Sequence, residues 1–356
     1  MNSYNRLVER WRWLSLFLGV AATAGCSAAP AEMKFTGGDL QAILDRAPKD
    51  AIVVCEQTEP IPVARTLRIE RPMTLKGLKA VLPERLGDTI LLSVEAGGVT
   101  LRDLELRGNY DTVDQKNRAP LIHVKAGPFR IERCRFFDAS KDGVMITPDD
   151  GTGDIVGGVV REIEGIRMGR DVVSISGGNG GQRVRDVTVE TVRLKTGFYR
   201  GAVEVSDGTD NITVRHVVAE DAVYALDVQD HGARQEGKPA PCAPNTNITA
   251  EDIEAVHCKH LIRTSNHPLG HAGLVLRNLR AKHCAEPVRI SNTKEVRIQG
   301  LTIVNDPELK KTPILIRNCE DTEVRNVTIT GLREGVEPIL GQEMKNFRID
   351  GIQRNK

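Results

Sequence analysis

Four charged residues each stand at the centre of a short segment in which apolar and outward positions alternate. They are Glu204 in residues 202–206 (Ala-Val-Glu-Val-Ser), Asp227 in 225–229 (Ala-Leu-Asp-Val-Gln), Arg263 in 261–265 (Leu-Ile-Arg-Thr-Ser) and Arg289 in 287–291 (Pro-Val-Arg-Ile-Ser). Adjacent carboxylates repel, which raises one pKa and creates the acid and base that glycosidic cleavage needs. Neighbouring guanidinium groups can grip the carboxylate of an acidic sugar through paired N–H donors. Just downstream in the same rungs lie Asp207, Asp230 with His231, Asn266 with His267, and Asn292. Glu204, Asp227, Asp230, His231, Arg263 and Arg289 are therefore the candidate catalytic residues. Tyr199, Arg200, Tyr224, Asn266 and His267 are candidate substrate contacts. Tyrosine faces stack on sugar rings, and Phe198, Tyr199 and Tyr224 cluster in a chain with only 4% aromatic residues.

Two chemistries fit this set. In a hydrolase, Glu204 and Asp227 would do the proton work, one protonating the leaving oxygen and the other acting as nucleophile or activating water. In an eliminating or epimerising enzyme the substrate is a uronate. Arg263 or Arg289 would then neutralise its carboxylate, with His231, Asp230 or an arginine as base. The opposing possibility is a surface ion-pair ladder that only keeps the face soluble and contributes little energy. Residues 229–245, stiffened by Pro239, Pro241 and Pro244, frame one side of these segments, and residues 195–201 the other.

Other histidines and cysteines offer a metal site only on paper. His257-Cys258 and His283-Cys284 align in neighbouring rungs, but adjacent strand residues point to opposite faces, which puts the cysteines inside and the histidines outside. His267 and His271 lie in a Gly/Pro turn without a ligating carboxylate motif. No metal site is expected. The cofactor is unspecified, and calcium is left open without a motif that calls for it.

These segments need a scaffold, and an internal repeat supplies it. An apolar residue, two outward positions, then apolar, outward, apolar recurs ten times from about residue 98, as in Leu101-Arg-Asp-Leu104-Glu-Leu106 and Val324-Arg-Asn-Val327-Thr-Ile329. The copies lie 22 to 36 residues apart, which is loop variation around a fixed unit. The alternating segments follow within most copies. Such a unit cannot bury its own apolar face, whereas coils stacked in register bury a continuous column. One interior stack is expected from Leu104, Cys134, Ile163, Val187, Val217, Ile253, Leu279, Leu301, Val327 and Ile352. Stacking sets equivalent residues about 4.8 Å apart, so the outward column reads His123, Met145, Ser174, Glu204, Asp227, Arg263, Arg289 and Leu315.

From residue 38 onward the chain resembles the right-handed parallel β-helix family that includes pectate lyases, pectin hydrolases, alginate epimerases and phage tailspikes. The resemblance implies an all-β solenoid, with a helix over 38–50 capping its open end and the β-helix over 51–356. Asp39 can cap that helix, and Leu40, Ile43, Leu44 and Ala47 share a face. Segments around Asp142-Gly143 and Gly169-Arg-Asp171 resemble the Asn-Thr-Asp-Gly and Gly-Asp-Asp stretches of pectin hydrolases, and Asp227-Val-Gln-Asp230-His231 resembles the Asp-Pro-His-Asp stretch of alginate epimerases. The pectin-hydrolase Gly-His-Gly is missing, so neither activity carries over residue by residue.

Before this region, Arg6, Arg10 and Arg12 precede an apolar run over 14–24, too short to cross a bilayer comfortably. Ala22-Thr-Ala-Gly-Cys26 resembles a bacterial lipobox, which implies a signal peptide over 1–25, a lipidated Cys26 and a linker over 26–37. The alternative is ordinary cleavage near Ala28-Ala29 or Ala31. Export with lipid anchoring in the bacterial envelope is expected, with membrane contact through that anchor only. The 49 basic and 48 acidic residues nearly cancel, which argues against nucleic acid as a partner. A polysaccharide partner and a monomer are expected, and the remaining six cysteines read mostly as core fillers. The sequence thus points to an exported β-helix acting on a polysaccharide, uronate-containing by preference, as lyase, epimerase or hydrolase; the alternative is a non-catalytic glycan-binding or structural β-helix.

Overall fold

Apolar residues three apart on a straight strand face opposite ways, so the repeated motif can bury both only if the chain bends between them. It does. The second of the two outward residues is in the left-handed region, with φ of 58° at Asp103, 51° at Arg133, 57° at Glu162, 56° at His216, 55° at Asp252, 52° at Asn278 and 56° at Asn326. Gly300 and Gly351 hold the same place at 74° and 68°. Asp, Asn and Gly tolerate this region best, which is why they recur there.

The computed structural model describes residues 29–355 apart from 85, 88, 114–117, 179, 232–242 and 266–269. Among them, two sheets wind around one core from Ala31 onward, one of 16 strands and one of 11. All the pairings given below are parallel, each joining a coil to the next. Strands of the larger sheet are long, such as Ile155–Met168 and Val184–Gly197. Those of the smaller sheet are short: Val144–Ile146, Val173–Ser176, Val203–Ser206, Tyr224–Gln229, His260–Thr264, Val288–Ser291 and Ile314–Arg317 among them.

The interior stack runs Cys134, Ile163, Val192, Val217, Ile253, Leu279, Leu301, Val327 and Ile352, each paired with the next. One expected member is displaced: Val187 pairs with Gly158 and Ile212, one bend earlier in the coil, and Val192 takes its place. Asp186 and Thr191 both bend this strand, at φ of 59° and 56°. Each is followed by a buried valine, so the same short motif occurs twice within five residues. All members but the half-buried Ile352 are buried, and each aliphatic side chain so buried contributes about 1.5–3 kcal/mol.

A helix over Leu40–Arg46 packs Leu40 and Leu44 into the core, and Asp39 caps it by accepting from Ala42 N at 3.3 Å. The expected linker is shorter than 26–37, because Glu32–Phe35 forms a strand paired with Ala51–Cys55. Cys26 and the apolar run lie outside the described residues. Cys55, Cys134, Cys258, Cys284 and Cys319 are free and buried, as core fillers should be; Cys242 lies outside the described residues.

Candidate active site

The smaller sheet stacks the outward column in the expected register. Ser174 pairs with Glu204, Glu204 with Asp227, Asp227 with Arg263, and Arg263 with Arg289. Yet the carboxylates do not form an exposed ladder. Glu204 and Asp227 are fully buried, and each lies against a guanidinium. Asp227 accepts from Arg263 Nη2 at 2.6 Å. Glu204 accepts from Arg200 Nη1, from Gln229 Nε2, from Arg170 Nη2 at 3.3 Å and from Ser174 Oγ at 3.1 Å.

Burial pushes the Glu204 carboxyl up, but the charges of Arg200 and Arg170 oppose it, and the group is held below its ordinary value. Asp227 goes the other way, because burial and nearby Glu204 prevail over Arg263. Asp171, also fully buried, is raised well above the usual carboxylate range by burial and by the charges of Glu204 and Asp142. Two neighbouring acids with opposed shifts are a pattern of functional sites.

The solvent-facing part of this network is His231. Its Nδ1 lies 2.6 Å from Asp207 Oδ2, while its backbone N–H donates to Asp207 Oδ1 at 2.7 Å. Burial pushes the Asp207 carboxyl up, and hydrogen bonds from the His231 side chain and backbone and from Ser176 reverse that and hold it low. An ionised carboxylate only accepts, so Nδ1 carries the hydrogen. Nε2 lies between Arg200 Nη2 at 3.2 Å, which only donates, and Glu204 Oε1 at 3.4 Å, which only accepts. The ring is thus fixed through Nδ1, with 37% of its side chain exposed.

Backbone placement fixes this geometry. Asp207 itself is in the left-handed region at φ 57°. The two residues after it are held by Asn245, whose buried Oδ1 accepts from Gly208 N at 3.0 Å, Thr209 N at 3.0 Å and Thr209 Oγ1 at 2.8 Å. One coil away, Asp171 Oδ1 accepts from the Tyr224 hydroxyl at 2.8 Å and from Gly201 N at 3.2 Å. A side chain at Gly201 would collide with Tyr224 O, 1.9 Å from the Cβ position.

Several expected roles change. Tyr224 is fully buried, so it is no sugar platform; its ring lies under the Arg263 guanidinium, 4.8 Å away. Arg289 is taken up by backbone carbonyls, donating to Val288 O at 2.8 Å, Pro313 O at 3.0 Å and Thr312 O at 3.2 Å, and is no part of the charge network. Asp230 is buried, with its backbone N–H on Ser265 Oγ at 3.0 Å, and does not share the exposed position of His231. Tyr199 is 43% exposed beside Arg200, with Arg118 over its ring at 4.5 Å. Asn266 and His267 lie outside the described residues, as does most of the 229–245 loop.

Arg170, Lys141, Asp142, Asp171 and Asn245 were not among the expected site residues. A signal existed for the first two: Lys141, Arg170 and Arg200 each stand three residues before the paired Val144, Val173 and Val203. Cys258 and Cys284 are buried while the His257 and His283 rings stack outside at 5.1 Å, so those four side chains do not converge. Among the described residues no group of three or more His, Cys, Asp or Glu is placed to hold a metal ion.

No protein-family model matches the chain, and no curated protein is similar to it in sequence. Solved structures are similar in fold. The A-module of the Azotobacter vinelandii mannuronan C-5 epimerase AlgE4 matches with a TM-score of 0.52 at 13% identity, over 86% of this chain and 89% of that one. A family 28 exopolygalacturonase of Yersinia enterocolitica matches at 0.50 and 11% identity, over 93% and 80%. Gene product 12 of bacteriophage phi29 matches at 0.53 and 16% identity; it covers 83% of this chain, which spans 48% of that longer protein. The chain is a right-handed parallel β-helix. At these identities the likeness defines the fold alone.

Proposed function

We propose that this protein acts on a uronate-containing polysaccharide by taking the proton from C5 of a uronate, as a lyase or an epimerase. The carrying observation is the contact between Arg200 and His231, 3.2 Å apart, with His231 backed by Asp207. The acidic C–H of a uronate is one bond from its carboxylate carbon. A carboxylate gripped by Arg200 therefore brings that hydrogen to the neighbouring Nε2. Arg200 neutralises the charge that builds on the carboxylate as the C–H electrons move into it, and Nε2 receives the proton. Cleavage of the C4–O bond, with the departing oxygen taking a proton from the protonated Nε2 or from water, then gives an unsaturated product; delivery of a proton from water to the opposite face of C5 gives the epimer instead. The names of two fold neighbours, a mannuronan epimerase and an exopolygalacturonase, support a uronate substrate.

Hydrolysis by Glu204 and Asp227 is less well supported, since both are buried beneath guanidiniums. That same burial favours the second reading, a non-catalytic glycan-binding or structural β-helix whose charges stabilise the coil. Incubating the purified protein with a panel of polyuronates in heavy water separates these. Unsaturated ends identify a lyase, deuterium at C5 an epimerase, and new reducing ends without unsaturation a hydrolase. The absence of all three on every polyuronate would defeat the catalytic reading. We further propose that the protein is exported and lipid-anchored through Cys26, on the strength of the residues around it.

A further inference from the structure

Lys141, Arg170 and Arg200 occupy one position in three successive coils, each three residues ahead of mutually paired valines, Val144, Val173 and Val203. Coils repeat about every 4.8 Å, close to the advance of one pyranose unit along an extended glycan. The three cations are only partly covered: Arg170 and Arg200 keep 21% and 18% of their side chains exposed, and Lys141 is half-buried. Carboxylates beneath them fix the two guanidiniums. Arg170 is tied to Glu204 at 3.3 Å and to Asp142 at 3.5 Å, and Arg200 to Glu204 and, at 3.7 Å, to Asp171.

Lys141 differs from both. Among the described residues its ammonium makes one hydrogen bond, to the thioether of Met145 at 3.4 Å, and has no carboxylate within ion-pair distance. A half-buried ammonium held only by a sulfur is an expensive arrangement for a fold alone. It is a reasonable one for a group that waits for an anion. Burial pulls its pKa down, Asp142 opposes this, and Arg170 adds to it, so an incoming negative charge is favoured there.

We propose that Lys141, Arg170 and Arg200 form a cationic ladder along the solenoid axis that holds successive carboxylates of a polyuronate, with the reacting unit over Arg200 and two further units toward Lys141. This rests on the uronate reading above and adds the direction and length of the bound chain. His231 touches the ladder only at Arg200, so chemistry is confined to that end. A chain of three or more units spans all three cations, and a dimer reaches only Arg200 and Arg170.

Calorimetric titration of the purified protein with oligomannuronates and oligogalacturonates of two to five units, and with their carboxyl-reduced counterparts, tests this. Lys141→Met is the informative variant, because it removes the charge without unpairing a buried carboxylate. Affinity should rise from two units to three in the wild type. The variant should bind chains of three or more units about tenfold more weakly, bind dimers unchanged, and melt at the same temperature or higher; Lys141→Arg should restore the length dependence. Equal affinity of wild type and Lys141→Met for trimers, or equally tight binding of reduced chains, would overturn the ladder. Turnover that persists with no effect of Lys141→Met sinks the ladder and leaves the proposed chemistry standing. Length-dependent binding without turnover does the reverse.

Discussion

His231 and Asp207 face each other across coils with Nδ1 2.6 Å from Oδ2, and a second bond runs from the His231 backbone to the same carboxylate. Side chain and main chain are thus oriented by one residue of the preceding rung. If His231 is the base, Asp207→Asn leaves the shape but puts an amide where an acceptor is needed, favouring the wrong tautomer. His231→Gln should lower kcat/KM on the turned-over polyuronate by about 10²–10⁴-fold, and Asp207→Asn by at least tenfold, with unfolding temperatures little changed for His231→Gln. Steady-state kinetics beside thermal unfolding would check this. A His231→Gln enzyme of full activity would remove the proposed base.

Two buried histidines link the fold to pH. His123 and His260 are buried, with pKa values pulled from 6.5 to about 4, chiefly by burial. Each contacts a carbonyl, Thr147 O at 3.1 Å and Glu286 O at 2.7 Å, so each donates there in its neutral form. Their pKa values are depressed on folding, so between pH 6.5 and 4 the unfolded chain binds more protons. Stability is then fully present above pH 6.5 and falls as the pH drops toward 4. Denaturant titrations across this window should give a shallower slope for His123→Gln/His260→Gln than for wild type, by up to about one proton per histidine. Identical slopes would show that these histidines do not limit acid stability.

Thr191 offers a test in the other direction. It holds the left-handed bend at φ 56°, where a β-branched residue is strained, while equivalent bends carry Asp252, Asn278 and Asn326. Thr191→Asn should raise the stability by up to about 1 kcal/mol, read as a higher urea midpoint with the same slope. A lower midpoint would mean that the Thr191 side chain contributes more than its backbone strain costs.

The same residue explains how much could be read in the chain. Bends that carry Asp, Asn or Gly announce themselves, so the coil, its interior stack and the whole outward column from His123 to Leu315 were legible, as was the capping helix from Asp39. At Thr191 the signal fails, and Asp186, five residues earlier, draws the register to Val187 instead of Val192. Burial was less legible than register. Spacing places Glu204 beside Asp227 and Arg263 beside Arg289, but strand periodicity cannot say that Arg170 reaches across from the preceding coil and Arg200 folds back within its own to cover Glu204, or that Arg289 turns to carbonyls at Thr312 and Pro313. The burial of Tyr224 is hidden for the same reason, since an aromatic residue at the start of a strand looks alike whether its ring meets solvent or an aspartate.

Export has its own prediction. If Cys26 is the lipid-bearing residue, Cys26→Ser should abolish labelling by palmitate and leave the precursor uncleaved in the bacterial host. Wild-type protein that matures without incorporating label would instead support cleavage near Ala28-Ala29 or Ala31 and free release.

The choice between Arg200 and Arg289 tests the site most directly, because the alternating pattern alone points to Arg263 or Arg289, Arg263 is taken up by Asp227, and the geometry favours Arg200. Arg200 joins Glu204, Asp171 and His231, the proposed base, and Glu204 and Asp171 keep it charged against its burial. Arg200→Lys keeps a cation beside the buried Glu204, which limits loss of stability, but a lysine has no planar fork with which to grip a carboxylate in two places. Turnover of the polyuronate should fall by more than tenfold, above about 1.4 kcal/mol of transition-state stabilisation, and substrate affinity should fall with it. Among the described residues Arg289 donates to three carbonyls and lies near Glu286 at 3.6 Å. Arg289→Gln should therefore leave those oxygens short of donors and lower the melting temperature, with kcat/KM within about twofold of wild type at a temperature where the variant is folded. Strong loss of turnover at Arg289 with none at Arg200 would move the carboxylate clamp three coils along the column, away from His231, and the proposed chemistry would go with it.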